Sequence, residues 1–154
     1  MNLILENTDQ VRFFTDMALV FNALGISAVD YDWFVSDIET NCSESMFAQD
    51  NRWISGRELQ DFLDNSNIQF IWAVFSAVPK GVHFVVETPP YVYNNQSYWS
   101  GEEVRPQLQD ALFEIVCWDS SATILIDLPA EAEASFIRVF SDTRNLASVA
   151  QRNG

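Results

Sequence analysis

Apolar residues recur along this chain at two different spacings. Between residues 8 and 24, Val11, Phe14, Met17, Ala18, Phe21 and Leu24 return at three- and four-residue steps, which places them on one face of a helix. Asn7 or Thr8 supplies an N-cap, Asp9 suits the positive end of the helix dipole, and Gly25 fits the stop. Leu3-Ile4-Leu5, just before it, reads as a short strand. Residues 31 to 38 are aromatic and β-branched with Asp32, Ser36 and Asp37 breaking the run, the pattern of a strand. Residues 39 to 52 are polar, a loop or a partly paired strand around Met46-Phe47-Ala48. Ser55-Gly56-Arg57-Glu58 has the form of a capping box, and Leu59, Phe62 and Leu63 make the buried stripe of a short helix ending near Asn65. Trp53, just upstream, is placed to pack back on that helix as a staple.

The segment from Ile68 to Val78 is apolar at both parities and rich in β-branched and aromatic residues. Pro79-Lys80-Gly81 ends it, so it reads as a central strand covered on both faces. Val82 to Glu87 follows as a neighbouring strand. Residues 88 to 106 form the longest irregular piece: Pro89-Pro90 opens it, and Ser100-Gly101-Glu102-Glu103 repeats the capping pattern with Pro106 too close for a long helix. Leu112 to Trp118 and Ala122 to Leu128 read as a hairpin turning through Asp119-Ser120-Ser121. Residues 130 to 140 are a last helix with Phe136, Ile137 and Phe140 inward, and residues 141 to 154 are polar. The expectation is a single α+β domain over residues 1–145, a mainly antiparallel central sheet flanked by N-terminal, middle and C-terminal helices, with residues 146–154 as a polar tail.

Charge narrows the functional classes. The 154 residues carry 22 acids against 8 bases, a net charge of −14, and Lys80 is the only lysine. Residues 1 to 51 hold nine acids against Arg12 alone, so that third carries −8 of the total. Nucleic acid and anionic membrane surfaces are disfavoured partners, because their phosphates demand Lys or Arg. A basic protein partner fits the field, although acidity can also serve solubility alone. The N-terminus lacks a basic start and Glu6, Asp9 and Asp16 interrupt its apolar residues; no apolar run reaches bilayer length, which predicts a cytoplasmic protein. Two cysteines, Cys42 in a polar stretch and Cys117 in an apolar run, make no disulfide framework.

Candidate chemistry is sparse. His83 is the only histidine, has no neighbours at metal-ligand spacing, and reads as a packed core or edge residue. A Cys117–His83 pair across adjacent strands is conceivable, but Cys117 lacks the electropositive setting that activates a thiol. Asp30 with Asp32, and Asp37 with Glu39, are carboxylates two apart that on a strand share one face, either a solvated edge or a cation or acid–base site. Tyr91, Tyr93, Tyr98 and Trp99, interleaved with Asn94, Asn95, Gln96 and Ser97, have the composition of a contact surface, or else fold back as a lid. No catalytic group, metal or cofactor is expected. The partner-binding set is Asp30, Asp32, Asp37, Glu39, Tyr91, Tyr93, Tyr98 and Trp99. The alternative is an enzyme or small-ligand domain using Asp32, Asp37 or Cys117 in a pocket lined by Trp33 and Trp72. The sequence leaves the oligomeric state open.

The order of Tyr31-Asp32-Trp33-Phe34-Val35-Ser36, Ser55-Gly56-Arg57-Glu58-Leu59, Ala77-Val78-Pro79-Lys80-Gly81 and Asp142-Thr143-Arg144 resembles a family of short bacterial proteins known only as a domain of unknown function. That resemblance implies no activity and transfers no functional residue. In general type the chain is also similar to acidic bacterial immunity proteins, which bind and neutralise a toxin, often a basic nuclease.

Overall fold

A computed structural model describes residues 1–10, 15–41, 47, 51–66 and 68–153. Val11, Phe14, Cys42, Met46 and Ala48 lie outside the described residues. The fold is α+β, built on a sheet of β1 (Leu3–Glu6), β2 (Tyr31–Thr40), β3 (Arg52–Ser55), β4 (Phe70–Pro79), β5 (Phe113–Trp118), β6 (Ala122–Ile126) and β7 (Arg144–Asn145). The strands run in the order β3-β2-β4-β5-β6-β1-β7 and every paired neighbour is antiparallel. Helices α1 (Met17–Leu24), α2 (Gly56–Asn65), α3 (Ala130–Val139) and α4 (Leu146–Asn153) complete it, with 3-10 turns at Ala28–Asp30 and Gln96–Trp99.

Strand alternation divides the core in two. Trp33, Val35, Ala73, Phe75, Ala77, Phe113, Ile115, Cys117 and Leu125 face α1, α2 and α3. Ile4, Val74, Val116, Ile124 and Ile126 face the other way, under Val92, Tyr98, Leu146 and Val149. Phe34 and Val78 extend that second face under Val82, Phe84, Val86 and Leu108. β4 is apolar at both parities because both of its faces are covered. Phe47 joins the helical side, packed edge-on against Phe62, Phe70 and Phe75.

The β5–β6 hairpin forms where expected. Ser121 N–H donates to Trp118 C=O at 2.9 Å, and Asp119 and Ser120 between them have φ of 48° and 56°. That is the mirror-image turn whose twist matches paired strands. α2 starts at Ser55, whose hydroxyl accepts the Glu58 amide. α1 stops at Gly25, which takes φ 68° as C-cap.

Elsewhere the fold departs from the periodicity. α1 begins only at Met17, because Thr15 has φ 65° and the Asp16 carboxylate accepts the Leu19 amide as the true N-cap. Thr8 and Gln10 instead bind Asp142 and Ser141. Ala18 is exposed while Val20 and Ala23 are buried, and Ile137 is at the exposed margin of α3. Residues 82–87 are not a strand: both edges of β4 are already taken, by β2 and β5. Their alternation survives without a ladder, Val82, Phe84 and Val86 turning in and Val85 out. Trp53 does not staple α2. On β3 its neighbour Ile54 faces the helices, so Trp53 falls on the opposite face against Phe34 and Phe84. Residues 144–153 are β7 and α4, with Leu146 and Val149 buried, rather than a tail.

Gly56 is where α2 meets the 3-10 turn. A Cβ there would lie 2.3 Å from the carbonyl oxygens of Ala28 and of Tyr31, both backbone atoms that cannot swing aside. Gly56→Ala is therefore expected to cost about 3 kcal/mol, read as a lowered urea midpoint; an unchanged midpoint would contradict this packing.

Candidate binding surface

The second face of the sheet is roofed by an irregular segment, and carboxylates rising from the sheet hold that roof. Glu114 points from β5 into the second face and is 0% exposed. Its Oε1 accepts the Gln107 amide at 2.7 Å, and its Oε2 accepts the Ser76 hydroxyl at 2.6 Å and the Leu108 amide at 3.1 Å. Burial raises the carboxyl of Glu114, and these three donors only partly offset that. Gln107, once placed, brackets the aromatic loop: its side-chain carbonyl accepts Tyr91 N–H at 3.1 Å and its amide donates to Tyr91 C=O at 2.8 Å and to Tyr98 Oη at 2.7 Å.

Asp37 supplies the second anchor. It has φ 52° at a register shift between Ser36 and Glu39, so the strand bulges there. One oxygen, Oδ2, accepts the amides of Val92 and Tyr93, each at 2.8 Å. Asn95 closes the turn, donating to Tyr91 C=O and accepting from Ser97.

The predicted surface set therefore divides. Tyr91 is 51% and Tyr93 57% exposed, whereas Tyr98 is 1% exposed and Trp99 partly buried. Burial, with the nearby Glu114 charge, pushes the Tyr98 phenol up. The aromatic loop is thus both lid and surface. Asp30 and Glu39 are exposed. They do not share strand faces with Asp32 and Asp37 as expected, because Asp30 closes a 3-10 turn and the positive φ at Asp37 breaks the alternation.

Asp32 is buried beside the β4 turn, where its Oδ2 accepts Gly81 N–H at 3.0 Å and meets His83 Nε2 at 3.0 Å. Burial would raise its carboxyl, but the amides of Gly81 and Gly56 and the His83 ring outweigh that and hold it below the usual range. His83 stacks on Trp53 with ring centroids 4.7 Å apart. It is on no strand and makes no pair with Cys117, which lies on the helical face against Met17 at 3.8 Å. Burial pushes the Cys117 thiol up, away from the nucleophilic thiolate. A pocket between Trp33 and Trp72 does not form either, since Trp33 faces the helices and Trp72 the roof.

Sequence reasoning missed two members of the surface. Trp72, read as a strand and pocket-lining residue, and Trp118, read as a strand residue, pack against Tyr93 and Trp99 where the start of β4 meets the end of β5. No local signal marks them: Phe70, nearer the start of β4 than Trp72, is fully buried, and it is the β4–β5 register that brings Trp72 and Trp118 together. Among the described residues no three His, Cys, Asp or Glu side chains gather as metal ligands, and no helix is long and apolar enough to cross a membrane.

The roof's dependence on Glu114 is measurable. Glu114→Ala orphans three donors and is expected to cost about 3 kcal/mol in urea unfolding. The folded protein holds the Glu114 proton more tightly than the unfolded chain, so this group adds stability as pH falls through its raised value and loses it as pH rises. Glu114→Gln removes that titration. As pH falls from neutral towards the ordinary glutamate range, the stability of the wild type relative to Glu114→Gln should rise; a constant difference would show that the carboxyl is not raised.

Comparison with family models, with curated proteins and with solved structures finds no match.

Proposed function

We propose that this chain is a non-catalytic protein-binding domain that masks a basic partner, acting as an immunity-type inhibitor of a basic toxin or nuclease in the bacterial cytoplasm. One observation carries the reading: Tyr91 and Tyr93 stand half-exposed on a backbone that is already fixed. Asp37 holds the amides of Val92 and Tyr93, and Gln107 holds the backbone N–H and C=O of Tyr91. An anchor that is ordered before binding loses little entropy on docking, and tyrosine adds large contact area with few rotatable bonds. The field supports the same reading. A net charge of −14, with Asp30 and Glu39 exposed, steers a cationic partner and rejects anionic ones. The general likeness of the chain's type to acidic immunity proteins fits this role.

A tagged pull-down from native lysate, at low and high salt with mass spectrometry, tests it. One basic protein in near-equal amount is expected, released by salt. Tyr91→Ala/Tyr93→Ala should weaken its capture by roughly 10–100-fold with the urea midpoint nearly unchanged. A partner that resists high salt and binds the double variant normally would sink the proposal.

A small-ligand reading is favoured by one feature, the Asp32–His83 pair, a carboxylate and an imidazole 3.0 Å apart with the ring half-exposed. Its expected sign is a metal ion or metabolite that raises the melting temperature of the wild type but not of Asp32→Asn. Silence across a broad panel would remove it.

A further inference from the structure

Four rings form a continuous row on the second face. Tyr93 meets Trp72 at 5.2 Å between centroids and 85°, Trp72 meets Trp118 at 5.1 Å and 69°, and Trp118 meets Trp99 at 5.0 Å and 80°. The row is a product of register. The β4–β5 ladder that sets Ala73 opposite Cys117 brings Trp72 and Trp118 side by side one step further on. The anchored loop then adds Tyr93 at one end and Trp99 at the other. Three of the chain's five tryptophans are in the row. All three are partly exposed, and Tyr93 is 57% exposed, whereas Trp33 is fully buried. Each contact is edge-to-face, so a ring that offers its edge keeps both of its own faces clear of that neighbour.

Two carboxylates flank the row. Glu39 lies directly across the ladder from Trp72, and Asp119 follows Trp118 in sequence. Both are exposed, and among the described residues neither forms an ion pair. No arginine or lysine of the described chain stacks on these rings. The face therefore offers partly exposed aromatic rings beside two exposed carboxylates that make no ion pair among the described residues.

We infer that Tyr93, Trp72, Trp118 and Trp99 are the seat for arginine side chains of the basic partner, with Glu39 and Asp119 receiving their remaining N–H groups. This rests on the binding reading above and names the chemistry of its contact. A guanidinium is planar and weakly hydrated, so it stacks on an aromatic face and still donates in its plane to a carboxylate. An ammonium group is compact and strongly hydrated, and gains mainly from charge. The surface thus distinguishes arginine from lysine, which net acidity alone does not.

The test titrates the full chain with oligo-arginine and oligo-lysine peptides of equal length, at moderate salt, following tryptophan emission and heat. Oligo-arginine should change the emission and bind about tenfold more tightly than oligo-lysine. The exposed Tyr93→Leu should cut that preference sharply with the urea midpoint near that of the wild type, and Trp99→Leu, which also gives up packing on Trp118 and so some stability, should cut it likewise while the far-UV circular dichroism stays that of the folded protein. Equal affinity for the two peptides, or a preference that survives both variants, overturns the inference. If equal affinities accompany salt-sensitive capture of a basic protein from lysate, the aromatic seat fails and the binding reading stands; if neither peptide binds and no basic protein is captured, the binding reading itself fails.

Discussion

The buried carboxylate of Glu114 is the constraint on which the second face of this protein depends. A charge removed from water is costly unless its oxygens find donors, and here a hydroxyl and two successive amides supply them. The arrangement works in both directions. The amides of Gln107 and Leu108 belong to a stretch without helix or ladder and would otherwise be orphaned under the roof. The sheet thus satisfies the loop and the loop satisfies the sheet. Gln107 passes the constraint outward, fixing the backbone N–H and C=O of Tyr91 and the hydroxyl of Tyr98.

The two faces of the sheet solve the same problem by different means. On the first, helices satisfy their own backbones, so apolar packing suffices: Phe21 of α1 interlocks edge-to-face with Trp33 and Phe75, and Tyr31, Trp33 and Phe113 with one another. On the second, the covering chain between Lys80 and Leu112 has little regular structure and contains Pro89, Pro90 and Pro106. It needs side-chain acceptors at intervals, and Asp32, Asp37 and Glu114 provide them at Gly81, at Val92 and Tyr93, and at Gln107 and Leu108. Acids that look on paper like a catalytic or metal-binding supply are therefore committed to holding backbone.

That commitment shapes the function. Cys117 is sealed under α1 and its thiol is pushed away from reactivity, while the carboxylates nearest the surface loop are occupied by amides. What the molecule presents outward is a rigid aromatic edge in an acidic field. Under the binding function proposed above, the charge would draw a cationic partner in and the ordered rings would set where it docks.

Much of this was legible in the residues. Strands β2, β4, β5 and β6, helices α2 and α3, the stop at Gly25 and the burial of Cys117 follow from local periodicity and caps, because neighbouring residues alone set those patterns. The start of α1 did not, since Asp16 competes with earlier caps and residues 8–10 are held by Ser141 and Asp142, more than a hundred positions away. Residues 82–87 carry a strand's alternation yet form none, because a strand needs a free edge and β4 has none to offer. The polar composition of residues 144–153 concealed β7 and α4, whose place comes from pairing with β1 and the burial of Leu146 and Val149. The acidity and the aromatic loop were visible by position, but which aromatics face water was not. Register across β4 and β5 decided that Trp72 and Trp118 join Tyr93 and Trp99, and the hydrogen bonds of Glu114 and Asp37 decided that Tyr98 turns in while Tyr91 and Tyr93 turn out. Local sequence sets most of the elements; long-range pairing and the need to satisfy buried polar groups decide the rest and determine which side chains meet.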